Sequence, residues 1–256
     1  MSHVIDLNCD LGEYASLADG QVDAAIMPHI SSCNVACGGH AGNQAVMAQT
    51  MRWALQHGVQ IGAHPGYPDR VNFGREPMSM SPRELQQAMQ QQLSLAQAVA
   101  AATGATIRHI KPHGALYNQA AEDLTLALKL MTWVAVIDDR WLFYGLAHSA
   151  MAEAAAQVGL RFVAEGFADR GYTARRTLQP RDQAGALISE PAAMLQRAID
   201  LAQQSPVAAV SGERLDLRVE TLCLHGDHPG AAASAERLHQ GLVAAGIAIR
   251  APTGAA

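Results

Sequence analysis

Lys111, His113, Tyr117 and Asn118 crowd one short segment, Ile107-Arg108-His109-Ile110-Lys111-Pro112-His113-Gly114-Ala115-Leu116-Tyr117-Asn118. An ammonium holds an anion, an imidazole moves a proton near neutral pH, and a phenol or an amide orients a polar ligand. The segment opens as a short strand and breaks at Pro112 and Gly114, which punctuate turns. Residues 120–137 then read as a helix. In parallel α/β sheets, ligands bind where strands hand polar groups to the loops at their carboxyl ends. Asp10, His64, Glu165 and His225 fall at comparable positions along the chain. Such repetition points to an enzyme.

The elements that must hold these groups alternate. Val4–Cys9 reads as a strand on which Asp6, Asn8 and Asp10 share one face, with Glu13 just beyond it. Residues 19–28 read as a short helix. Ile30–Ala36 is a second strand, followed by a glycine-rich turn; Asn43 then caps a helix over Gln44–His57 that Gly58 closes. Val59–Ala63 is a third strand, and the loop after it carries His64 and Arg75. Ser81-Pro82-Arg83-Glu84 has the cap, proline and glutamate of a helix start, and that helix runs to about Thr103.

Further strands are expected over Trp141–Leu146, from Arg161–Ala164, and over Thr221–Leu224. Helices are expected near 149–158, 191–203 and 231–245. Val207–Val210 is expected to pair near Leu217–Val219, residues 173–190 look irregular, and Gly246–Arg250 closes the chain. Roughly seven alternations without a linker predict one parallel sheet with helical cover, a single domain over 1–256. Both a closed barrel and an open sheet fit. Polar groups after nearly every strand favour the barrel, since closure brings all those ends to one mouth.

Composition removes other classes. The chain has 256 residues, 49% of them hydrophobic and 16% charged, so a large core is expected and disorder is not. A net charge of -5 without a basic run argues against nucleic acid. The most apolar stretch, Leu124–Ile137, is interrupted by Lys129 and too short to span a bilayer. No hydrophobic leader follows the start, so a cytoplasmic location is expected. The four cysteines, Cys9, Cys33, Cys37 and Cys223, form no CxxC pair and read as buried free thiols.

Six stretches together resemble the LamB/YcsF family: Asp6–Glu13 (DLNCDLGE), Asn34–Gly42 (NVACGGHAG), Gly62–Asp69 (GAHPGYPD), Lys111–Asn118 (KPHGALYN), Glu165–Arg170 (EGFADR) and Leu224–Asp227 (LHGD). The resemblance runs in order from about residue 4 to 250. It implies a seven-stranded parallel β/α barrel, akin to the glycoside hydrolase and deacetylase barrels. It also implies ATP-dependent 5-oxoprolinase chemistry, the opening of 5-oxoproline (pyroglutamate) to L-glutamate, with 5-oxoprolinase subunits B and C as partners. Two positions depart from the family pattern: Gly39 stands where a bulky aromatic is usual, which loosens the loop carrying His40, and Asn43 stands where Asp is usual.

Opening a lactam requires binding a carboxylate and a phosphate, placing a water, and protonating the departing nitrogen. No GxxxxGK[ST] loop occurs in the chain, so ATP, as co-substrate, is expected to bind with the partner subunits. The nearest anion cradle is the glycine-rich Ala36–Gly42 ahead of a helix. Asp10 and His64 are candidates for general base and acid, and Lys111 for an anion clamp. His113 and His225 complete the catalytic set. Asn8, His40, Arg75, Tyr117, Glu165, Asp169, Arg170, Arg181 and Asp227 are candidates for substrate contact.

Competing readings stand beside these. Lys111 could instead neutralise a buried Asp or Glu, and Arg170 and Arg181 could pair with Asp169 and Asp182. Whether a divalent metal binds stays open, with Asp10, His40 and His64 as its candidate ligands in a stand-alone deacetylase-like hydrolase. A non-catalytic regulatory partner is the third reading, and a homo-oligomer is compatible with all of them. His3, His29, His57, His109, His148 and His239 read as bland.

Overall fold

Along β1 (Val4–Leu11), Ile5, Leu7, Cys9 and Leu11 are buried in the apolar core that the helices share. Asp6, Asn8 and Asp10 point the other way, and Asp6 and Asn8 bond across to β2 (Ser32–Ala36), β6 (Phe162–Phe167) and β9 (Thr221–His225). A strand buried on both faces, with polar groups meeting across its inner side, is what barrel closure demands. The computed structural model describes residues 3–226 and 230–254; the side chain of His225 lies outside that set.

Between β2 and β6 come β3 (Gln60–His64), β4 (Ile107–Ile110) and β5 (Leu142–Leu146). These strands run in parallel in the order β1-β2-β3-β4-β5-β6-β9, and β9 returns to β1, closing seven strands into a barrel. A hairpin of β7 (Val207–Ala208) and β8 (Arg214–Leu215) precedes β9. The hairpin turns earlier than the expected pairing near Leu217–Val219. β10 (Ala248–Ile249) adds in parallel to the start of β1.

The helices are α1 (Gln21–Ile26), α2 (Gln44–His57), α3 (Pro82–Thr103), α4 (Gly114–Glu122), α5 (Leu124–Ile137), α6 (Ala150–Val158), α7 (Pro191–Ala202) and α8 (Ala231–Ala244). Asn43 caps α2 by accepting from the N–H groups of Ala45 and Val46, and Ser81 with Glu84 closes a full capping box on α3. The helix expected over 120–137 is two. Asp123 leaves the helical region and caps α5 through the N–H groups of Thr125 and Leu126, while α4 begins already at Gly114. Tyr117 and Asn118 therefore ride a helix rather than a loop. None of the described helices is long and apolar enough to cross a membrane, and the four cysteines are buried free thiols.

Deep in the barrel, Asp6 accepts from Ser31, Ser32, Tyr144 and Thr221, and burial raises its carboxyl pKa against those bonds. His109, bland in the sequence, belongs to this interior. Its ring stacks on Tyr144 with centroids 4.0 Å apart, and its Nε2–H donates to Asn34 Oδ1 at 2.8 Å. Gly62 makes room for that ring, because a side chain there would collide with it.

Candidate active site

Lys111, the residue after β4, reaches into the barrel and is 2% exposed. Its ammonium lies 2.9 Å from Asp10 Oδ1 and 2.9 Å from Glu165 Oε1, with Asn8 Oδ1 at 3.3 Å and Cys223 Sγ at 3.0 Å. Burial disfavours the charged amine, yet Asp10, Cys223 and Glu165 outweigh it and hold the pKa well above the usual lysine value. The three ammonium hydrogens thus face protein acceptors. In this geometry Lys111 neutralises two carboxylates, the competing sequence reading, rather than offering itself to an anion. Glu165 lies inside β6, not in a loop after it, and Tyr117 Oη donates to its Oε2 at 2.7 Å.

Asn8 is also committed. Its amide donates to Glu165 and Thr221 and accepts from Asn34 and Lys111, and it is fully buried. Expected to touch substrate, it lies instead beneath the site and fixes the carboxylates above it. The reason is depth: Asn8 shares the inner face with Asp10 but sits one pleat lower on β1.

Beside this ion pair, Glu13, His40, His64 and His113 gather with ligand-type atoms all within 4.8 Å of one another. Glu13 Oε1 is 3.1 Å from His40 Nε2, 3.2 Å from His113 Nδ1 and 3.8 Å from His64 Nε2. Although burial pushes Glu13 up, the neighbouring imidazoles of His113 and His40 hold its carboxyl well below the usual range. Burial lowers His40 to about 4 despite Glu13. His64 is raised, because Asp10 and Glu13 outweigh its burial. Glu13 was not singled out from the sequence, although it closes the same DLNCDLGE stretch as Asp10; its place just past β1 was the available signal.

Of the candidate metal ligands Asp10, His40 and His64, the two histidines belong to the converging group and Asp10 does not. Asp10 Oδ1 is held by Lys111 and by Asn34 at 2.8 Å, and its Oδ2 meets His64 Nε2 at 3.4 Å. Glu13 and His113 take its place among the imidazoles.

A cavity of about 650 Å³ opens above these groups, with Asp10, Glu13, His64, Lys111, His113 and Tyr117 in its wall and Arg75 and Arg181 among its other lining residues. Arg75 also lies over the Phe73 ring at 4.9 Å. Arg170 reaches the wall but donates to the carbonyls of Ala186 and Gln179, so it staples the 171–187 segment. Asp169 and His40 do not line the cavity. The His225 side chain and Asp227 lie outside the described residues.

In the Ala36–Gly42 turn, groups expected to face an anion are engaged within the chain. Gly38 N–H donates to Ala41 O, Arg70 binds the carbonyls of Gly38 and Gly42, and the first N–H groups of α2 already go to Asn43. Nor is the turn loose at Gly39. The Gln92 amide packs where a side chain at Gly39 would stand, and it bonds Gly66 through N–H at 3.0 Å and O at 2.8 Å.

Comparison with known proteins matches this geometry. The sequence profile of the LamB/YcsF family matches residues 5–256. The A subunit of 5-oxoprolinase from Chloroflexus aggregans is 45% identical over 249 residues, covering 97% of this chain and 98% of that protein. The crystal structure of the lactam utilization protein from Thermus thermophilus superposes with a TM-score of 0.90 at 37% identity, covering 97% of this chain and all of that one (100%). The catalytic domain of a peptidoglycan N-acetylglucosamine deacetylase from Eubacterium rectale, at TM-score 0.52 and 13% identity, covers 100% of this chain and 93% of that one, and shares the barrel fold alone. With the match spanning every barrel strand and both halves of the polar cluster, the chain belongs to the LamB/YcsF family.

Proposed function

We propose that this chain is the lactam-opening component of an ATP-dependent 5-oxoprolinase, working with 5-oxoprolinase subunits B and C. The observation that carries the reading is the 45% identity to a protein named as the A subunit of 5-oxoprolinase, across 97% of this chain and 98% of that one. A buried acid–base cluster opening on a cavity lined by Arg75 and Arg181 supports it.

A lactam resists water because its nitrogen donates into the carbonyl. Phosphorylation of the amide oxygen by ATP removes that resistance, and in this reading the partners carry out the transfer. Water then adds to the activated carbon. Asp10 lines the cavity 2.9 Å from the Lys111 ammonium, and is placed to take the proton of that water. The same proton passes to the ring nitrogen as the C–N bond breaks, leaving an acyl phosphate and a free amine. A second water releases phosphate and gives glutamate. Arg75 and Arg181 hold the carboxylate and phosphoryl groups, for which guanidinium is the better partner than ammonium.

Glutamate release from 5-oxoproline plus ATP tests the reading, using this chain alone, subunits B and C alone, and all three together. The expected result is glutamate from the full set only. No glutamate from any mixture sinks it and returns the chain to the stand-alone hydrolase or regulatory readings.

A further inference from the structure

Each of two imidazoles spends one nitrogen on a main-chain carbonyl. His64 Nδ1 is 2.7 Å from Lys111 O, and His113 Nε2 is 2.8 Å from Phe73 O. A carbonyl only accepts, so both nitrogens carry the hydrogen, and the other nitrogen of each neutral ring is a lone pair. Those two lone pairs, His64 Nε2 and His113 Nδ1, face one another at 3.0 Å, with Glu13 Oε1 at 3.8 Å and 3.2 Å from them. Three acceptors thus converge on one point.

We propose that Glu13, His64 and His113 bind one divalent cation of the zinc class at the cavity wall, with His40 orienting Glu13. Two histidines and a glutamate with an open side are a zinc donor set. Ligand bonds of about 2.1 Å in tetrahedral geometry put donor atoms about 3.4 Å apart, and the three separations here, 3.0, 3.2 and 3.8 Å, bracket that edge. The carbonyls of Lys111 and Phe73 supply the outer hydrogen bonds that fix ring orientation in metal sites, and His40 Nε2 stands 3.1 Å from the glutamate oxygen. Phe73 adopts φ 56° with a side chain that disfavours it, a conformation that aims its carbonyl at His113.

Charge points the same way. Asp10 and Glu165 share one ammonium, Lys111, while Glu13 meets the imidazoles of His40, His64 and His113, so a cation at this point adds to the charge balance. A cation serves all three donors together.

The site is read without substrate, so it stands or falls separately from the lactam assignment. The full chain, purified without a histidine tag from zinc-supplemented growth, is analysed for bound metal. Chelator-stripped protein is then titrated with Co²⁺, followed by visible absorption, and with Zn²⁺, followed by calorimetry. Expected are about one ion per chain and saturable one-to-one binding, weakened at least ~10-fold in Glu13→Gln, His64→Gln and His113→Asn. The wild-type titration stands even where a variant fails to fold. Absence of bound metal together with no Co²⁺ absorption overturns the proposal, as does one-to-one binding that is unchanged in folded variants.

Discussion

Lys111 and Glu165 form an ion pair of 2.9 Å with side chains only 3% and 0% exposed. A charge so placed is tolerable only while its partners remain. Lys111→Met strands two carboxylates and is expected to destabilise the chain by about 3–5 kcal/mol, read by urea unfolding. A midpoint unchanged from the parent would mean the pair contributes no charge balance.

Asp10→Asn should separate chemistry from folding. Lys111 keeps Glu165 as counter-charge, and the new amide can still meet Asn34 and Lys111 through its oxygen. The expected loss is roughly 10²–10⁴-fold in glutamate release by the full assembly, with a near-parental melting curve. Retained activity would remove Asp10 as the proton acceptor.

Arg75 and Arg181 are exposed and stand in the cavity lining. Arg75→Ala and Arg181→Ala should raise KM for 5-oxoproline or the activated ring by about 10-fold or more, with folding intact, as charged hydrogen bonds of about 1.5–3 kcal/mol are lost. Steady-state kinetics with varied substrate will distinguish this from a kcat effect, which would argue against a binding role.

Asp23 gives the chain a built-in pH dependence. Burial pushes its carboxyl up to about 7, with the Glu13 charge adding, although Gly12 N–H donates to it at 2.6 Å. Unfolded, the same group ionises near ~4. The folded state therefore holds the extra proton between those values, and stability falls as pH rises from about 4 through about 7. Asp23→Asn retains an acceptor for Gly12 and should unfold at higher urea than the parent near pH ~8, with the advantage shrinking toward pH ~4. An advantage independent of pH would contradict the assignment.

Gln92 and Gly39 should behave as one unit. Gln92→Ala orphans the N–H and carbonyl of Gly66 and is expected to cost about 1–3 kcal/mol. Gly39→Ala should be harmful in the parent, where Gln92 fills the space, and milder beside Gln92→Ala. A double-mutant cycle in urea measures the coupling; strict additivity would refute it.

Much of the barrel was legible in the sequence, because caps and punctuation are local. Asn43, Ser81 with Glu84, and the glycines after α2 and α3 fixed helix ends from a few residues each. The polar strand ends of β1, β3 and β4 also converge as their spacing implied. What the sequence did not carry was depth and partner choice. Asn8 and Asp10 are indistinguishable by alternation, yet one is buried under the other. Lys111 reads as an anion clamp until Glu165, from a strand 54 positions on, is placed 2.9 Å away. Glu13 was passed over because one carboxylate past a strand carries no signal until three imidazoles arrive from other loops.

Closure by β9 sets the order in which this protein can come into being. Asn8 and Asp6 on the first strand bond to Thr221, and Lys111 contacts Cys223, so part of the polar interior is contributed by the last of the seven barrel strands to be synthesised. A nascent chain that has completed β6 already holds Asp10, Lys111 and Glu165, but in an open sheet with their inner face still wet. Loop closure across most of the chain is slow relative to local helix formation. Desolvation of the buried charges and assembly of the reaction centre thus coincide in one late step, and a chain arrested before β9 would carry the site's residues without its chemistry.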